Sequence, residues 1–102
     1  MAWLEVDSLP VPLPYSVTIR RPENSLTSIC CKWPPMPEEE GDFLYRAAGT
    51  GRVYLAYCGD NGTTFSGWVR AVEYQEPYLF HHMNRRWMGS VSMVFLEIRR
   101  TE

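Results

Sequence analysis

The chain has 102 residues, 45% of them hydrophobic and 22% charged, with a formal net charge of -2. That length suits one domain with a core of its own, spanning 1–102, and the composition excludes general disorder. The charge balance gives no global positive field for holding nucleic acid.

In chain order, Trp3-Leu4-Glu5-Val6 reads as a short strand and Asp7-Ser8 as a turn. Leu9 to Pro14 carries prolines at alternate positions, which remove donors from a ladder, so this piece is expected at an edge or running extended over the sheet. Tyr15 to Arg20 alternates, with Val17 and Ile19 on one face and Ser16, Thr18 and Arg20 on the other. Arg21 to Ser25 is a loop. Leu26 to Trp33 resumes the strand pattern with Ile29, Cys31 and Trp33 in phase, and Pro34-Pro35-Met36-Pro37 ends it. A helix is expected at about 37–48. Glu38, Glu39, Glu40 and Asp42 suit the positive end of its dipole, and Phe43, Leu44, Ala47 and Ala48 form its apolar side. Gly49 and Gly51 stop it.

Arg52 to Gln75 is the stretch around which the rest is organised. Two runs rich in Val, Tyr, Phe, Trp and Thr flank Gly59-Asp60-Asn61-Gly62, which predicts a β-hairpin. Glu76-Pro77 interrupts the pattern, Tyr78 to His82 is a short strand or the continuation of a bent one, and Met83 to Arg86 reads as the turn into the last strand. Val91 to Ile98 suits the inside of a sheet. The hairpin and this final strand are expected to hold the core, so that aspartate at either Val69 or Leu96 would bury an unpaired charge.

No catalytic, cofactor-binding or metal-ligating residue can be named from these patterns, and the chain is not expected to be an enzyme. Cys30, Cys31 and Cys58 lack a Cys-x-x-Cys or Cys/His ligand spacing and are expected as reduced strand residues, the first two on opposite faces. His81 and His82 are strand neighbours that face opposite ways. The glutamate run is a solvated helix start, and no nucleophile elbow or phosphate loop occurs. With no signal-like start and no run of roughly 18 apolar residues, the expectation is a cytoplasmically made chain outside the membrane.

What remains is a basic and aromatic group, Tyr78, Phe80, Arg85, Arg86 and Trp87 with the two histidines. Its composition fits a protein interface, with a small nucleic-acid-binding β-barrel as the alternative. Arg20 and Arg21 join it as candidate contact residues, and Arg99 and Arg100 add positive charge near the C-terminus.

The order of elements resembles the small structural proteins of tailed-bacteriophage tails and of phage-tail-like particles. The resemblance rests on Leu4-Glu-Val-Asp-Ser-Leu-Pro10, Tyr15-Ser-Val-Thr-Ile19 and Cys31-Lys-Trp-Pro34 before the acidic helix. It extends to Val53–Tyr57 with its Asp-Asn-Gly turn and to Phe95-Leu-Glu-Ile98. It implies a single-domain antiparallel β-sandwich or β-barrel with one flanking helix, used in a tail tube, distal tail or baseplate. Copies would form a homo-oligomeric ring, commonly a hexamer, that meets other tail proteins and passes DNA through a channel as cargo. The location implied is the virion, and no cofactor is implied.

Overall fold

Strand alternation decides which residues are buried in the runs Ser28–Trp33 and Val91–Glu97. A computed structural model describes residues 2–49 and 51–98; Arg99 and Arg100 lie outside them. The fold is mainly β, with ten strands and one helix among the described residues. The strands are β1 (Trp3–Val6), β2 (Leu9–Pro10), β3 (Ser16–Arg20), β4 (Ser28–Trp33) and β5 (Met36–Pro37), followed by helix α1 (Glu38–Ala48). Then come β6 (Arg52–Cys58), β7 (Thr64–Tyr74), β8 (Tyr78–His82), β9 (Arg85–Gly89) and β10 (Val91–Glu97). One antiparallel sheet runs β2-β1-β6-β7-β10-β4-β3, and a second runs β5-β9-β8.

The central hairpin and final strand form the middle of the large sheet. Val53 and Leu55 of β6, Val69 of β7, Met93 and Phe95 of β10, and Ile29 and Cys31 of β4 all point to one side and are buried. Each such side chain contributes roughly 1.5–3 kcal/mol by leaving water. Between β7 and β10 the register shifts, so that Val94 lies opposite Glu73 and Phe95 opposite Ala71. Val72 is the extra residue, and it is exposed.

The two edges of this sheet are joined by a short chain segment, which fixes its curvature. β2 and β3 lie at opposite edges, about 29 Å apart if seven strands were flat. Residues 11–15 can span only about 20 Å. The sheet must roll. The crossing segment is tied down by the Val11 N–H donating to the Leu4 carbonyl (3.1 Å) and the Tyr15 N–H to the Lys32 carbonyl (2.8 Å). The Trp33 Nε1–H adds a bond to the Pro12 carbonyl at 2.7 Å. No β2–β3 ladder completes a cylinder, so the fold is sandwich-like and the barrel alternative is excluded.

The helix and the small sheet cover the remaining side of the core. Gly41, Leu44 and Ala48 are the buried residues of α1, spaced to share one face. Gly41 is there because β9 comes close: a Cβ at this position would stand 2.4 Å from the Met88 sulfur. Phe43, expected on the apolar side, is exposed instead. Two residues beyond Gly41 it lies about 200° around the helix, on the solvent side.

Three further expectations are corrected. Pro34 and Pro35 do end β4, yet Met36 and Pro37 pair with Met88 and Trp87 as a short strand. Met83 to Arg86 is not the turn into the last strand: the turn is Met83-Asn84 alone, and Arg85–Gly89 is a strand of its own. Leu96 is not core. Val91, Met93 and Phe95 take the inward phase of β10, so Leu96 faces outward between Arg70 and Ser28.

Candidate interaction surface

The β8–β9 hairpin is built on a two-residue reversal. Met83 and Asn84 have φ of 53° and 61°, the pair of left-handed residues that a type I′ turn requires and whose twist matches the flanking strands. Asn accepts that conformation readily. Met does so at about 1 kcal/mol, and its side chain is 82% exposed.

Cross-strand register sorts the side chains onto two faces. Tyr78, Phe80 and His82 lie opposite Gly89, Trp87 and Arg85, so four of the sequence-predicted contact residues share one face. Tyr78 and Phe80 stack tilted at 5.7 Å between centroids, and His82 meets Trp87 edge-on at 6.4 Å. The Arg85 guanidinium stands 5.9 Å from the Trp87 ring centre. The Trp87 Nε1–H donates to the His82 carbonyl at 3.0 Å, which holds the indole in place. Tyr78 is 55% exposed, and its ring lies where a Cβ on Gly89 would stand, 2.5 Å from the nearest ring carbon. Gly89 therefore lets the tyrosine lie flat on the hairpin.

The other face carries Leu79, His81 and Arg86 with buried Met88. Arg86 pairs with Glu38 at 3.4 Å, and Arg85 forms a short ion pair with Glu39. The acidic helix start thus holds the tip of the hairpin, and the hydrogen bond from Arg85 keeps the Glu39 carboxyl below its usual range. β8 is the outer strand of its sheet, so one row of its backbone groups has no ladder partner among the described residues.

Arg20 and Arg21 are not brought to this face. Arg20 closes β3, with Arg21 following it, at the end away from the β9–β10 junction, as the pairing of Arg20 with Ser28 and of Val91 with Trp33 requires. Arg21 turns aside to donate to the Thr64 carbonyl at 3.4 Å.

No histidine, cysteine or carboxylate cluster suited to a metal ion occurs among the described residues. No described helix is long and apolar enough to cross a membrane. The three cysteines are free thiols. Burial first, and then the neighbouring Cys30, push the Cys31 thiol up to about 12. Unfolded, that thiol ionises near 9, so it lowers stability increasingly as pH rises from 9 towards 12 and leaves it unaffected below. The urea midpoint of the wild type is expected to fall over that window more steeply than that of Cys31→Val. Parallel curves would show that Cys31 is not the titrating group.

Compared with protein-family models, with curated proteins and with solved structures, the chain matches none.

Sequence reading missed a second exposed group. Arg52, Tyr54, Trp68 and Arg70 meet on the outer face of the large sheet, where Tyr54 lies opposite Trp68 and Arg52 opposite Arg70. The signal was available, since Arg52 and Arg70 each stand nine residues from Asn61 in the turn.

Proposed function

We propose that this chain is a structural subunit of a bacteriophage tail or phage-tail-like particle, docking on its neighbours through the aromatic face of the β8–β9 hairpin. The observation that carries the reading is that face itself. Tyr78, Phe80 and Trp87 lie together on an edge hairpin held at its tip by Arg85–Glu39 and Arg86–Glu38. Aromatic side chains on a rigid support lose little entropy on contact, which makes them effective anchors in protein interfaces.

The identity of the particle rests on the resemblance in element order. The antiparallel sandwich with one flanking helix agrees with what that resemblance implies, and so supports it. In this reading copies of the chain form a closed ring, a hexamer by analogy, around a channel through which DNA passes. A heterologous contact between unlike surfaces closes such a ring, so the hairpin meets a different part of the next subunit.

Particles purified from producing cells should contain the chain at a fixed copy number when their protein content is quantified by mass spectrometry. A chain missing from such particles, and strictly monomeric when isolated, would overturn the proposal.

A further inference from the structure

We propose that the outer face of the large sheet binds single-stranded nucleic acid through Arg52, Arg70 and Arg20, with Trp68 as the stacking platform. The register places the three arginines in one row across the sheet: Arg52 opposite Arg70, Arg70 opposite Leu96, Leu96 opposite Ser28, and Ser28 opposite Arg20. Four strand spacings separate the outermost two, about 19 Å before curvature.

Like charges directly across a strand pair destabilise a sheet, and Arg52 and Arg70 are such a pair. Among the described residues neither they nor Arg20 forms an ion pair, whereas both hairpin arginines do. The carboxylates near this face are Glu5, on the row of Ala56 and Ser66, Glu73, opposite Val94, and Asp7, which accepts from the Tyr54 N–H at 2.8 Å. None of them forms an ion pair with these arginines among the described residues.

Two features point to nucleic acid rather than to another acidic partner. First, Trp68 and Tyr54 are 43% and 39% exposed beside the cations. Their rings meet edge-on at 5.4 Å, and the Arg52 guanidinium sits 5.1 Å from the Trp68 ring centre. An indole flanked by arginines offers a π face to a base and cations to its phosphates. Second, a groove of about 340 Å³ leads from Arg20 along β3 and β4, lined by Ser16, Thr18, Ser28, Cys30, Lys32 and Val94. It presents two cations and three hydroxyls with no carboxylate, a lining that donates hydrogen bonds to phosphate and sugar oxygens. The arginine row is at the opposite end of β10 from the hairpin, and the groove runs back from it as far as Lys32, opposite Ser92.

The test is fluorescence anisotropy with a labelled 20-nucleotide oligothymidylate, which forms no duplex. Three phosphate contacts predict binding that weakens about eighteen-fold between 50 and 200 mM salt. In Arg52→Gln/Arg70→Gln the salt effect should shrink to about three-fold. Trp68→Ala should weaken binding about ten-fold with the salt effect unchanged. Circular dichroism confirms that each variant is folded, and Leu79→Ser on the hairpin should bind like the wild type. Four results would overturn the proposal: no binding at 50 mM salt, undiminished binding by the double variant, heparin or anionic vesicles bound as tightly and without regard to Trp68, or self-association abolished by the double variant. Particle assembly is read separately, so failure here leaves the hairpin proposal standing.

Discussion

Val69→Asp should leave no folded protein, whereas Leu96→Asp should fold and be soluble. Val69 is wholly buried in β7, and a carboxylate there would have no partner. Its desolvation would exceed several kcal/mol, a large part of the stability of a domain this size. Leu96 is on the adjacent strand, apolar and similar in sequence context, yet it faces outward opposite Arg70. A carboxylate placed there would lie beside an arginine that has no ion pair among the described residues, and the loss of stability should stay within about 1 kcal/mol. Far-ultraviolet circular dichroism and urea unfolding of the two variants check this. Equal loss of structure in both would mean that the phase of β10 is misassigned.

The second large effect is on assembly. Trp87→Ala should remove the chain from particles while leaving its core intact. Trp87 supports the aromatic face through His82 and lies opposite Phe80, but it is outside the cluster of fully buried residues. Removing it should lower the thermal midpoint modestly and abolish incorporation, because a hot-spot aromatic accounts for a large share of a contact. Arg86 needs a gentler change. Arg86→Glu would set two carboxylates against each other beside Glu38, loosening the hairpin for reasons unrelated to docking; Arg86→Gln avoids this. Wild-type incorporation of Trp87→Ala would remove the hairpin from the docking surface. Unfolding of the isolated variant would mean that Trp87 belongs to the core.

Much of the fold was legible in the sequence because period-two alternation is a direct consequence of strand geometry. Ile29, Cys31 and Trp33 were in phase on paper and are buried together, and the Asp60-Asn61 turn fixed the β6–β7 register. What escaped depended on residues distant in the chain. Phe95 and Leu96 are both apolar, and only packing against β4 and β7 decides which points inward. Glycine is a poor helix former, and only the close approach of Met88 explains Gly41 inside α1. The turn at Met83 was expected to run to Arg86, and its two-residue length was hidden because only Asn84 is of a type that favours positive φ. Of the candidate contact residues, the register gathered Tyr78, Phe80, Arg85 and Trp87 onto one face, turned Arg86 towards the helix, and left Arg20 and Arg21 at the end of β3.

Amide hydrogen exchange of the free subunit and of the same subunit within particles tests the central claim most directly. β8 is an edge strand whose outward amides have no ladder partner among the described residues, so they should exchange quickly in the free chain. Docking through the hairpin predicts strong protection across Tyr78–His82 on assembly, with Val53–Leu55 and Met93–Phe95 already slow in both states. Unchanged exchange in Tyr78–His82, with new protection confined to other segments, would contradict the account.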